Sequence, residues 1–417
     1  MSELLALRED ARRRFAGYLK RYRGKLDDGL WRRLAAYAPA DALETDDKRE
    51  TVVVEKTGAA VQCAIDRMHS SGGGRVVLRG GVYESGTIYL KSGVELRIEK
   101  DAVLRGPATP DGYDDVDDPR IGKAPERSRK AFIVCLDGRD VAITGEGTID
   151  GQGVSFYDTK VPPGARHFAK PALPRPRMVQ FFKCDGVRFE GVTFKDSPGW
   201  TFWLRMCDDV TVNGIVVDGD MRMINNDGLH FDGCRRVRVR DSRLSTGDDC
   251  IVVRANRSHN GDSSLCEDVE VSRCVLRSAC QAVRIGCPSD GNIRRVSFTD
   301  VDISGYNGVA SVHPLRYLQR GSRGGCNIDG ILFERCRIDV EAAPVVIDVQ
   351  PGVVLGGICN FVFRDSKMRG GSEMIVRGTA ESPVGGVRFE NVEVANSPST
   401  PSGFNWKWES DSWEVEP

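Results

Sequence analysis

Three things are scarce in this chain: net charge, histidine and long apolar runs. Acidic and basic residues balance to −1, and the isoelectric point is near 6.6. No long-range field therefore draws the molecule to nucleic acid, and an anionic ligand has to be met by local arginines. No stretch is long and apolar enough to span a membrane. Residues 1–30 carry Arg12-Arg13-Arg14 and a basic cluster from Arg21 to Lys25, with no apolar core of the kind a signal peptide needs. The 13 cysteines are an odd number, and neither their spacing nor the 5 histidines suit a tetrahedral zinc site. Gly72-Gly73-Gly74 lacks the Lys-Ser/Thr of a phosphate loop and reads as a turn. These absences predict a cytoplasmic protein with no metal or cofactor and with neither nucleic acid nor membrane as partner.

What is present is a repeat. A β-branched or aromatic pair, one residue apart, recurs as Val187/Phe189, Val210/Val212, Val237/Val239, Val269/Val271, Val296/Phe298, Ile331/Phe333, Phe361/Phe363 and Val387/Phe389, at intervals of 23 to 35 residues. Periods of this size mark a solenoid, and the two-residue alternation inside each unit marks strands. Three residues before each pair stands one small or medium apolar residue: Cys184, Cys207, Cys234, Cys266, Ile293, Ile328, Ile358 and Val384. Equivalent positions in stacked strands lie about 4.8 Å apart, so this column predicts an internal ladder. Its cysteines are read as buried thiols packing like small hydrophobes, with Cys274 and Cys336 at a second equivalent position.

Three segments follow from this pattern. Residues 1–45 read as helical, with Leu5, Phe15, Leu19 and Tyr22 near one face. Residues 46–400 form the all-β solenoid, opened by a short amphipathic helix with Val61, Ile65 and Met68 on one side. Polar insertions at 107–129 and 161–176 interrupt it, and solenoid insertions leave from the face that often binds ligands. The tail, 401–417, holds Trp406, Trp408 and Trp413 and is expected to cover the last coil or to meet another subunit of a homo-oligomer.

The chemistry lies in Asn225-Asn226-Asp227-Gly228 and Thr246-Gly247-Asp248-Asp249. Aligning Leu229/Phe231, Ile251/Val253 and Val283/Ile285 as inward pairs puts Asp227, Asp249 and Gln281 in one column, with Asp248 beside it at the turn. Carboxylates this close raise one another's pKa, so one holds a proton near neutrality while its neighbours ionise, which is what acid/base catalysis needs. On the outward side of the same strands lie His230, Val252 and Arg284, with Arg205 on the coil before and Arg254 two residues along.

Arg175-Pro176, Phe181-Phe182-Lys183-Cys184, Asp196-Ser197-Pro198-Gly199-Trp200 and the two aspartate motifs, in this order over residues 55–395, resemble the polygalacturonase family of glycoside hydrolases, family 28. The resemblance implies a right-handed parallel β-helix and hydrolysis with inversion at the anomeric carbon. It implies Asp248 as general acid, Asp227 and Asp249 as the pair that activates water, and Asn225 as a residue shaping the site toward sugar hydroxyls. The chain departs from the family where Gly-His-Gly is replaced by Cys280-Gln281-Ala282 and Arg-Ile-Lys by residues 308–313. Arg284 and Arg254 are therefore the expected receivers of an acidic sugar, because arginine grips a carboxylate through two parallel hydrogen bonds. His230 is expected to bind a hydroxyl or tune the aspartates, with Gln281, His313 and Arg316 as further contacts and Trp200 and Trp203 as candidate ring platforms.

The resulting expectation is an oligosaccharide hydrolase for pectin-derived or related acidic or deoxy-sugar glycans, acting from a chain end. Two other classes stay open: a β-helical lyase whose aspartates bind calcium, and a glycan-binding β-helix without catalysis.

Overall fold

In the computed structural model the inward pairs stack as their spacing predicts. It describes residues 51–116, 128–261, 264–286, 288–318 and 325–396, with Leu34, Lys407 and Trp408. The chain divides into two compact units, Met1–Glu50 and Thr51–Pro417, and the β-strands belong to the second. The helical segment expected over 1–45, most of the tail and the middle of the first insertion lie outside the described residues.

Val187 pairs with Val210, Val210 with Val237, Val237 with Val269, and Val269 with Val296. Ile331, Phe361 and Val387 continue the column, all in parallel register. Among the described residues, the eight strands that carry these pairs belong to one sheet of 12, and the other strands of each coil form a second continuous sheet, giving a right-handed parallel β-helix. Because alternation is preserved from coil to coil, like stacks on like inside. The rings of Phe298, Phe333, Phe363 and Phe389 lie 4.6, 5.1 and 4.9 Å apart and within 14° of parallel. Cys184, Cys207, Cys234 and Cys266 are wholly enclosed. The thiols of Cys184, Cys234 and Cys266 donate to the carbonyls of Cys135, Leu204 and Phe231, and the described cysteines are free thiols.

The helix Gly58–Ser70 starts at Thr57, whose hydroxyl accepts from Ala60 N–H, and buries Val61, Ala64, Ile65 and Met68 against the first coils. Lys407 and Trp408 extend the second sheet beside Ile375 and Val376.

Candidate active site

The two aspartate motifs fall at the same turn of successive coils, between the two strands that each coil gives to the second sheet. Leu229, Ile251 and Val283 are in register, as are His230, Val252 and Arg284. Backbone bonds carry the column through the turn: Thr201 N–H donates to Asp227 O, Gly228 N–H to Asp249 O and Cys250 N–H to Gln281 O, at 2.8, 2.8 and 3.2 Å. Both motif glycines are demanded by close approach. A Cβ at Gly228 would sit 2.3 Å from Cys250 O, and one at Gly247 would sit 2.0 Å from Met223 O.

Asn226 staples the two turns together. It is buried, its Oδ1 accepts from Gly247 N–H (2.7 Å) and Asp248 N–H (3.2 Å), and its Nδ2 donates to Asp220 O (3.0 Å). The Asp248 carbonyl is fixed from two sides by the hydroxyls of Thr246 (2.5 Å) and Ser278 (2.7 Å).

The three carboxyls then meet different surroundings. Asp248 is half-buried, and its Oδ2 accepts from the backbone N–H and the Nδ2 of Asn225 at 3.1 and 3.2 Å. Asp227 is buried, with Oδ2 2.9 Å from His230 Nε2. Asp249 is fully buried, with Oδ2 3.1 Å from Arg284 Nη1, while Arg284 Nη2 donates to Gln281 Oε1 at 2.7 Å. Burial pushes the Asp249 carboxyl up to about 7, against the lowering charge of Arg284 and with a further push from Asp248. Burial, with the guanidinium groups of Arg254, Arg284 and Arg177, holds His230 well below the ordinary imidazole range, so its ring is neutral. It leans on Trp200, with centroids 4.2 Å apart.

The set thus joins a buried carboxyl with a raised pKa, Asp249, to two carboxyls held by different partners, Asp227 by His230 and Asp248 by Asn225. Asp248, Asp249 and Cys280 also offer ligand atoms within 4.8 Å of one another. As a calcium site the trio fits poorly, because Arg284 engages Asp249 and a thiol is a soft ligand for a hard cation.

The sequence profile of glycosyl hydrolases family 28 matches residues 122–351, more than half of the 417. The chain belongs to that family. A probable polygalacturonase of Vitis vinifera is 24% identical over 245 residues, 57% of this chain and 49% of that protein. The chain thus spans about half the length of that relative. An endo-polygalacturonase of Pectobacterium carotovorum is 23% identical over 363 residues, covering 83% and 87% of the two chains. Among solved structures, an exopolygalacturonase from Thermotoga maritima shares the fold, with a TM-score of 0.64 at 19% identity over 83% of this chain and 87% of its own.

The other residues singled out in the sequence have the following surroundings in this family member. Asn225 is turned to Asp248 and to Arg175, whose Nη2 donates to its Oδ1 at 2.9 Å. Arg254 is 3% exposed, lies over the Trp200 ring at 4.8 Å and faces Asp232 with Nε 3.4 Å from Oδ2. It is packed beneath Trp200 and does not project from the outward row. Arg205 and Trp203 are wholly buried, the indole lying between the guanidinium groups of Arg177 and Arg205 at 4.4 and 4.7 Å, so Trp203 offers no ring face. Trp200 is likewise buried, flanked by Trp203, His230 and Arg254. His313, expected as a further substrate contact, is buried on the inward side of its strand. Val309, Ser311 and His313 line the inward column with Val345, Ile347 and Val349, and the His313 ring bonds Ser311 Oγ at 3.1 Å inside the coil. Arg316 is exposed beside Tyr317. Sequence reasoning gave no role to Asn226, Arg175 or His167. Asn226 and Arg175 stood inside quoted motifs, but nothing in their spacing announced what they touch.

Proposed function

We propose that this family 28 protein hydrolyses glycosidic bonds of short acidic oligosaccharides, pectin fragments or related acidic or deoxy-sugar glycans, with inversion and from a chain end. The observation that carries the chemistry is the stacking of Asp227 and Asp249 one coil apart with Asp248 beside them, each carboxyl with a different partner. Asp248, the most exposed of the three, gives its proton to the departing sugar oxygen. Asp227 and Asp249 hold a water on the opposite face of the ring and take its proton as its oxygen bonds the anomeric carbon. Neutral His230 orients Asp227, and Arg284 orients Asp249.

The polygalacturonase names of the relatives support an acidic sugar. Arg284, with its side chain 22% exposed, is the cation of the outward row best placed to meet a carboxylate, with Gln281 alongside it. Arg254 backs this row from beneath through Trp200. The second insertion supports short substrates and end-on action, because its Arg166 lies over Tyr306 at 4.1 Å and pairs with Glu341 at 2.7 Å, several coils along the stack. The many free thiols support a reducing, cytoplasmic setting in which an enzyme meets imported fragments.

The purified protein should be screened against oligogalacturonides, rhamnogalacturonan fragments and aryl glycosides, with the first-formed anomer read by NMR. The proposal expects an inverted product, activity that survives chelator, and no ultraviolet-absorbing unsaturated sugar. An unsaturated product with chelator sensitivity would instead establish a lyase.

A further inference from the structure

We infer that Arg175 is a positioning residue for Asp248, acting through Asn225, and that the segment 151–176 completes the active site by clasping both catalytic turns. The inference rests on the hydrolytic reading of Asp248 given above. Arg175 is 1% exposed. Its Nη1 donates to Tyr157 Oη and to Ile224 O, both at 2.5 Å, and to Pro198 O at 3.3 Å, while Nη2 donates to Asn225 Oδ1 at 2.9 Å. A guanidinium has donors only, whereas the two ends of an asparagine amide have opposite roles. With Arg175 on one side, the amide oxygen must face the arginine, so the Nδ2 donors must face Asp248. Rotated by half a turn, the same amide would point its oxygen at a carboxylate. Asn225 also holds φ at +57°, a left-handed conformation that asparagine tolerates, and this aims its backbone N–H at the same Asp248 oxygen.

The rest of the segment grips the backbone just ahead of both acids. Tyr157 Oη donates to Ile224 O at 2.6 Å, Phe168 N–H donates to Arg222 O at 2.8 Å, and His167 Nε2 lies 2.9 Å from Gly247 O. Phe168 is buried against Tyr157 and under Arg222. Arg222, Ile224, Asn225 and Gly247, which precede Asp227 and Asp248, are thus held by a segment that belongs to an earlier coil.

Arg175→Met in the full chain, assayed on trigalacturonate, should lower kcat about 10- to 100-fold with KM little changed, the cost of a slightly misplaced catalytic group. In an Asn225→Gly background, which keeps the left-handed backbone and removes the amide, the same Arg175→Met change should cost clearly less kcat, only the part carried by its bond to Ile224 O. Asn225→Asp keeps an acceptor for Arg175 and deletes the side-chain donor to Asp248, so it should lose kcat while its Tm is retained. Hydrogen exchange without substrate should show lost protection at 222–228 and 246–249 in Arg175→Met, with the strands unaffected. Wild-type kcat in Asn225→Asp, equal losses from Arg175→Met in both backgrounds, or unchanged protection of the turns overturns the inference. If wild-type protein turns over no member of the oligosaccharide panel, the hydrolytic reading fails, and the exchange measurement still decides whether the clasp exists.

Discussion

Asp249 and Arg284 face each other at 3.1 Å, and the sign of their coupling makes a prediction. Burial raises the carboxyl to about 7, with Arg284 pulling down and Asp248 pushing up, while the Gln281 backbone N–H and Cys280 also lower it. Asp227 and neutral His230 complete the groups around the turn. Asp249 has to ionise to take a proton from water, so activity rises with pH through the neutral range. Removing the cation in Arg284→Met leaves burial less opposed, and the acid limb of the pH–rate profile moves to higher pH; Arg284→Lys keeps the charge and holds the limb near its original place. If Arg284 serves only as a sugar-carboxylate ligand, Arg284→Met raises KM for uronides and leaves the limb where it is. How far residue roles were legible depends on what fixes them. The acid column was legible because it follows from counting along strands, and the same count, carried from Val309, would have turned His313 inward. Arg175 and His167 were not legible, since they meet partners 50 and 80 residues away through a loop path that no periodicity encodes.

At the scale of the element, the solenoid stands or falls on coil-to-coil stacking. Phe333 lies between Phe298 and Phe363 at 4.6 and 5.1 Å, fully enclosed. Phe333→Ala should cost about 3–5 kcal/mol in urea unfolding, the usual range for emptying a buried aromatic site. The loss should be concentrated in neighbouring coils when followed by hydrogen exchange, because each repeat contacts only its neighbours. A change below about 1 kcal/mol would mean that the ring stack is incidental. The exposed ion pairs that also recur from coil to coil, such as Arg273 with Asp241 and Arg335 with Asp300, should contribute far less, because solvent screens them. The strand register was readable because every inward residue had an inward counterpart one period away. Burial on the outward side was not, because alternation states which way Arg205 or Arg254 points and says nothing of what lies above it.

For the molecule as a whole, buried histidines set an acid limit. Burial and Arg284 hold His313 down at about 4 against an ordinary 6.5, and His230 is also held well below that value. Between those pH values the unfolded chain binds more protons than the folded one, so their contribution is complete above about 6.5 and is lost as pH falls toward 4. Asp249 works in the opposite direction, since its folded form keeps a proton between 3.8 and about 7. Comparing urea unfolding of wild type and His313→Gln isolates one contribution: wild type should lose more stability on acidification than the variant, and parallel curves would contradict the assignment. The central claim remains that Asp227, Asp248 and Asp249 form one hydrolytic apparatus. Its most direct test is turnover and calorimetric binding of Asp248→Asn on the best substrate from the oligosaccharide panel. We expect kcat to fall about 10²- to 10⁴-fold with affinity largely kept; turnover equal to wild type with affinity intact would contradict it.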